Sequence, residues 1–163
     1  MQILIFRHGP AGDREKWAAK GLQDNLRPLT PDGRKKTDQA AAGIARLLPA
    51  LDVIASSSLV RARQTAACLA KHYKRAKTVE LSALKPDAEP AAMLALLKTH
   101  QSDETIALVG HDPHLGELAA FLIGGGALEL KKAGACLIDL PTPTAGGGRL
   151  VWLLRPSQLR ALR

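Results

Sequence analysis

Two kinds of pattern alternate along this chain, short apolar runs and longer runs with helical spacing. Residues 2–6 form an apolar, β-branched and aromatic run, which predicts a buried strand of an α/β sheet. Thr30-Pro31-Asp32-Gly33 predicts a helix start, with Thr30 as N-cap and Pro31 at the first helical position. Ala40, Ala41, Ile44, Leu47 and Leu48 then recur at helical spacing until Pro49 stops the run. A second strand is predicted over 53–55, ending in Ser56-Ser57-Ser58, with a helix over 59–73. Residues 78–81 read as a third strand, and Pro86-Asp87 as the opening of a helix that carries Met93, Leu94, Leu96 and Leu97. Residues 105–109 read as a fourth strand leading into Gly110-His111, and a helix over 113–123 is broken by Gly124-Gly125-Gly126. Two further strands, 135–140 and 149–154, flank a Pro-, Thr- and Gly-rich loop and predict a hairpin. The fold class that follows is α/β: a three-layer α/β/α sandwich whose central sheet is mostly parallel, with an antiparallel C-terminal pair. No repeat or linker divides the chain, so residues 1–163 are expected to form a single domain.

Composition narrows the function classes. A hydrophobic fraction of 46% and a charged fraction of 23% are those of a globular protein, and no apolar run approaches a membrane span. The opening apolar stretch lacks a basic leader and ends at Arg7, unlike a signal peptide, so a cytoplasmic location is expected. Cys68 and Cys136, without a CxxC partner, fit reduced core residues. The net charge of +8 suits an anionic partner. With aromatics at 3%, the interleaving that nucleic-acid binding asks for is missing, and no nucleic-acid partner is expected.

Candidate chemistry gathers at strand ends. Arg7-His8-Gly9 follows the first strand, Ser56 to Thr65 with Arg61 follows the second, and Gly110-His111-Asp112 follows the fourth. In a parallel sheet all three emerge at one edge, where ligands of open α/β sheets bind. Two histidines and two or three arginines would converge there, a constellation suited to a dianionic phosphoryl group. A neutral imidazole can attack phosphorus, and a protonated one can hold its oxygens. The competing uses are a metal site, which neighbouring arginines would oppose, and a Ser-His-Asp hydrolase, for which no GxSxG elbow is present.

These segments resemble the signature of the histidine phosphatase (phosphoglycerate mutase-like) superfamily, closest to its small SixA-type phosphohistidine phosphatase branch. The resemblance runs through Arg7-His8-Gly9, Arg27-Pro28-Leu29-Thr30 with Gly33, Ser57 to Arg61 with Gln64-Thr65, and Gly110-His111, in the family's order. It implies that His8 is the nucleophile that carries a transient phosphohistidine. Arg7 and Arg61 would then bind phosphate, with His111 holding phosphate oxygen. No cofactor and no metal is implied, because the arginines supply the positive charge. Arg27 is placed either at the pocket rim or in a solvated loop. Arg63, two residues beyond Arg61, is expected outside the pocket. His72, His100 and His114 read as surface or helix-end histidines, with His114 also near enough to His111 to support it, and Ser57 reads as a turn residue whose hydroxyl could also reach phosphate.

Two positions depart from the wider family. Pro10 follows the glycine where many members carry a polar or acidic residue. The loop expected to hold a carboxylate general acid offers Asp87 and Glu89, and Asp87 reads more simply as a helix N-cap. A phosphoramidate depends less on such an acid than an alkoxide leaving group does. No insertion exceeds the stretch 12–27, so no cap domain is expected, and an open site suits phosphate presented on another protein. The resemblance therefore implies a phosphatase acting on a phosphorylated histidine-containing protein, the alternatives being a small phosphorylated substrate or a catalytically weak phospho-binding module. A monomer is favoured.

Overall fold

A computed structural model describes residues 1–86 and 88–163. The elements in chain order are β1 (Gln2–Arg7), α1 (Arg14–Ala18), α2 (Pro31–Leu47), β2 (Val53–Ser56), α3 (Val60–Ala70), β3 (Lys77–Glu80), α4 (Pro90–Leu97), β4 (Thr105–Gly110), α5 (His114–Ile123), β5 (Ala135–Asp139), β6 (Arg149–Leu154) and α6 (Pro156–Ala161). One sheet runs β3-β2-β4-β1-β5-β6. The four strands β1 to β4 are parallel, and β5 lies antiparallel to both β1 and β6.

The period-2 alternation of β1 sorts its side chains to two cores. Ile3 and Ile5 pack with Met93, Leu97, Leu115, Leu118 and Leu122 of α4 and α5. Leu4 and Phe6 pack with Ala40, Ala41, Ile44, Ala62, Leu69 and Leu159 of α2, α3 and α6. The three-layer sandwich follows from that split. Both cysteines are free and buried within these cores.

Helix α2 starts as its residues dictate. The Thr30 side chain accepts from the Gly33 backbone N–H, and Pro31 occupies the first turn. At the other end of its span, α5 stops at Gly124, which takes the left-handed conformation (φ 90°).

Several boundaries differ from expectation. The fourth helix begins at Pro90, with Glu89 as N-cap, rather than at Pro86-Asp87, and a 3-10 turn over Ser82–Leu84 follows β3. Only Met93 and Leu97 of α4 are buried, so a start at the second proline is enough to seat its apolar face. Asp87 itself lies outside the described residues. The third helix ends at Ala70, short of residue 73, and β3 sits one residue earlier than 78–81. The short helices α1 and α6 lack a periodic apolar stripe: α1 buries no residue, and α6 buries only Leu159.

Candidate active site

Sheet register brings the catalytic candidates together. Arg7 pairs with Gly110, and Ser56 with Val109, so three strands end in step. Pairing continues past the strands, with His8 N–H donating to Gly110 O (3.0 Å) and Ser57 N–H to Val109 O (2.9 Å). His8, Ser57 and His111 consequently leave the sheet side by side. The rings of His8 and His111 stand 5.1 Å apart, centroid to centroid, and are inclined at 56°.

Gly9 is required by close approach. A side chain there would overlap Thr37 Oγ1 of α2, which is buried and committed to the Gly33 carbonyl. The Gly9 N–H donates to Thr65 Oγ1 (3.0 Å), and that hydroxyl donates to Arg61 O (2.8 Å). Gln64 Oε1 accepts from Leu29 N–H (2.8 Å). The first turns of α3 are thereby stitched to the loop after β1 and to the segment before α2.

A cavity of about 630 Å³ opens over these strand ends, and Arg7, His8, Arg27, Arg61 and His111 all line it. His8 Nδ1 donates to its neighbour's carbonyl, Gly9 O (2.8 Å), which leaves Nε2 with the lone pair. Burial pushes His8 down from 6.5 to about 3, aided by the charges of His111, Arg61 and Arg7. His111 falls to about 4, first through burial and then through Arg61. Both imidazoles are neutral at neutral pH. His111 Nε2 lies 2.9 Å from Ser57 Oγ, which also accepts from Leu59 N–H (3.3 Å).

The arginines are held by carbonyls and carboxylates. Arg7 Nη1 donates to Leu130 O (2.5 Å) and stands 3.8 Å from Asp112. Arg61 gives Nη1 to the Asp24 carbonyl (2.9 Å) and Nη2 to Asp24 Oδ2 (3.0 Å). Arg27 gives Nε to Asp24 Oδ1 (2.9 Å) and Nη1 to Gly12 O (2.6 Å). Partial burial would raise Asp24, but the Arg27 hydrogen bond and the Arg61 and Arg27 charges hold it below the ordinary carboxylate value.

Unmet hydrogen-bonding capacity marks where a ligand belongs. Among the described residues, five buried side-chain atoms lack a partner, and Arg7 Nε, Arg61 Nε, His111 Nδ1 and Asp112 Oδ1 all belong to residues lining the cavity. An unsatisfied buried donor costs about 1–3 kcal/mol. Arg7 and Arg61 line the cavity together with His8, and their guanidinium donors suit an anion with several oxygens. Among the described residues no group of three or more His, Cys, Asp or Glu is placed to hold a metal ion.

The remaining sequence candidates fall elsewhere. Glu89 is exposed at the start of α4 and does not line the cavity. Arg63 is exposed and pairs with Glu80 (3.5 Å). His114 is the first residue of α5 but is buried rather than on the surface, with Nε2 donating to Ala83 O (3.0 Å). Asp24 escaped the sequence reading, while Ser57 and Asp112 were named there without their contacts to His111 and Arg7. Asp24 and the Ser57–His111 contact carry only faint signals, a carboxylate three residues before Arg27 and a serine run at a strand end. Asp112 beside Arg7 depends on where β4 stops.

Comparison with known proteins shows the family and the fold. The family model for the histidine phosphatase superfamily (branch 1) matches residues 3–85. An uncharacterised protein of Picosynechococcus sp. (strain ATCC 27264 / PCC 7002 / PR-6) is 39% identical over 139 residues, covering 82% of each chain. The chain belongs to the histidine phosphatase superfamily, branch 1. In fold it is similar to the protein histidine phosphatase SixA complexed with tungstate, with a TM-score of 0.81 at 23% identity over 98% of this chain and 99% of that one. It is also similar to the alpha-ribazole phosphatase of Shigella flexneri (TM-score 0.74, 18% identity, 96% and 97% covered). A third similar structure is a phosphoserine phosphatase mutant of Entamoeba histolytica (TM-score 0.70, 17% identity, 97% and 98% covered). Among the described residues no helix is long and apolar enough to cross a membrane.

Proposed function

We propose that this chain, read as one histidine phosphatase domain without a cap, hydrolyses a phosphoryl group through a covalent intermediate on His8, and that its substrate is phosphohistidine carried on a protein. The observation that carries the chemistry is one cavity at the strand ends in which a neutral His8, with Nε2 free, stands beside His111 and is lined by Arg7 and Arg61.

In the first displacement His8 Nε2 forms a bond to phosphorus while the bond to the leaving group breaks. The His8 ring becomes cationic, and the Gly9 carbonyl on Nδ1–H stabilises that charge. Arg7 and Arg61 hold the equatorial oxygens. The arriving dianion raises His111 toward protonation, which lets its unpartnered Nδ1 donate to an oxygen. In the second displacement water attacks phosphorus, the P–Nε2 bond breaks, phosphate forms, and the water's proton passes to solvent.

The state of Asp24 and Glu89 leans toward phosphohistidine. Asp24 is held ionised by its arginines, and Glu89 is outside the cavity, so neither of these two stands ready as a protonated acid, although Asp13 and Asp112 also line the cavity. A phosphohistidine protonated on its other ring nitrogen leaves as neutral imidazole without one, whereas an alkoxide needs a proton. A second reading, a small-molecule phosphomonoesterase, is favoured by the cavity's size, which falls within the range of small-ligand sites, and by the likeness to phosphatases of small phosphoesters.

Purified protein assayed side by side on a phosphorylated histidine-containing domain, a phosphoserine peptide and p-nitrophenyl phosphate separates these readings. We expect kcat/KM on the phosphohistidine domain to exceed that on the phosphoserine peptide by about a hundredfold, roughly the discrimination that protonating an alkoxide requires, while p-nitrophenyl phosphate, whose phenolate leaves without a proton, reports phosphoryl transfer itself. Equal or greater turnover of phosphoserine would select the phosphomonoesterase. Binding of phosphoprotein without turnover would reduce the chain to a phospho-binding module.

A further inference from the structure

We infer that Asp24 is a positioning residue, a fixed acceptor that aligns Arg61 and Arg27 for the phosphoryl group; this rests on the phosphatase reading above.

The clasp has three independent contacts. The two terminal nitrogens of Arg61 are taken by two acceptors on the same residue, the main-chain carbonyl and Oδ2 of Asp24. The second carboxylate oxygen, Oδ1, takes Arg27 Nε. Arg27 is tied again through Nη1 to Gly12 O, at the far end of the same loop. One carboxylate thus joins the stretch 12–27 to α3, and it does so inside the cavity.

Two roles are open to a carboxylate on phosphate-binding arginines. It can compete with the ligand for their donors, or it can fix the side chains so that other donors face the ligand. Three observations favour the second. First, the contact includes a backbone carbonyl, which cannot swing aside as a side chain does. Second, the two contacts to Asp24 use only two of the five guanidinium N–H groups of Arg61, and three donors remain, on Nε and on each terminal nitrogen. Third, Arg61 and Arg27 repel one another across a partly desolvated site, and the carboxylate between them is the charge that lets both remain. Without it the two cations would separate, and Arg61, with four rotatable side-chain bonds, would lose its single orientation.

The orientation matters for catalysis rather than for folding. Arg61 sits in the first turn of α3, which is already secured by Thr65 to Gly9 and by Gln64 to Leu29. Asp24 lies in a 3-10 turn with no buried residue. Its removal therefore loosens the guanidinium while leaving both cores intact.

The test compares wild type, Asp24→Asn and Asp24→Ala by thermal melting, by inhibition with orthovanadate, and by kcat and KM on the best substrate found. Asp24→Ala is expected to lower kcat and weaken vanadate inhibition by about tenfold to a hundredfold, as small misplacements of catalytic groups do. Its Tm is expected to fall by several degrees, because buried Arg61 loses its ionic partner while both apolar cores are untouched, and the kinetic constants are read well below that Tm. Asp24→Asn, which retains one acceptor, should fall between the two. Vanadate that binds Asp24→Asn as tightly as wild type, or tighter, would overturn the inference and make the carboxylate a spectator or a competitor. A wild-type protein that neither binds vanadate nor turns over any phosphate would instead defeat the phosphatase reading itself.

Discussion

The cavity has two walls built by different means. One is the row of strand ends, where Arg7, His8 and His111 are placed by the register of β1 and β4, to within a backbone hydrogen bond of each other. The other is the loop 12–27, where Arg27 and Asp24 are placed by side-chain contacts to Arg61 and to the Gly12 carbonyl. The first wall is backed by two apolar cores; the second buries nothing in α1 or in its 3-10 turn. One wall is anchored to the sheet, and the other is clasped on from outside.

The contrast can be broken at its strongest point first. Arg61→Ala removes the guanidinium that belongs to both walls and should cut kcat by about 10²–10³-fold, as losing a transition-state donor does. Arg27→Ala touches only the loop wall. It should raise KM by about tenfold with a smaller change in kcat, since a rim contact binds ground and transition states alike. Arg63→Ala, two residues from Arg61 but on the outside, should leave both constants within about twofold of wild type, in line with an exposed ion pair. Steady-state kinetics on the three variants would check the order, and an Arg27→Ala effect larger than that of Arg61→Ala would reverse the assignment of the walls.

The two walls also differ in what sequence alone reveals. The strand ends were legible because β1 is an unbroken apolar run and β4 ends in Gly110-His111, so a parallel sheet puts their next residues together. Thr30-Pro31 announced α2 through its capping chemistry, and Gly124 announced the end of α5. The loop wall carries no such period. Asp24 looks like any solvated carboxylate until Arg61, 37 positions away, is folded against it. Pro86-Asp87 reads as the start of α4, whereas the helix begins at Pro90, which occupies its first turn. Ser57 was read as a turn residue and does serve the turn, but the same hydroxyl also meets His111.

Burial of two neutral imidazoles in the sheet wall has a consequence for stability. His8 and His111 sit near 3 and 4 in the folded state and near 6.5 when unfolded, so the unfolded chain binds more protons between those values. Their neutral burial is uncontested above pH 6.5, and the protein should lose stability as pH falls from 6.5 toward 4. Melting curves at pH 7.5 and 5 should show a drop in Tm that shrinks in His8→Asn. A drop of the same size in that variant would mean that other groups govern the acid limb.

The central claim is a phosphoryl group carried on His8. It is tested most directly by mixing the protein with a phosphohistidine substrate, quenching under alkaline conditions that preserve P–N bonds, and locating the label by peptide mass spectrometry. The account predicts an acid-labile phosphoryl group on His8, absent from His8→Ala, in which turnover falls on the order of 10⁴-fold or more. Turnover that persists in His8→Ala, or a label found on His111 in its place, would contradict it.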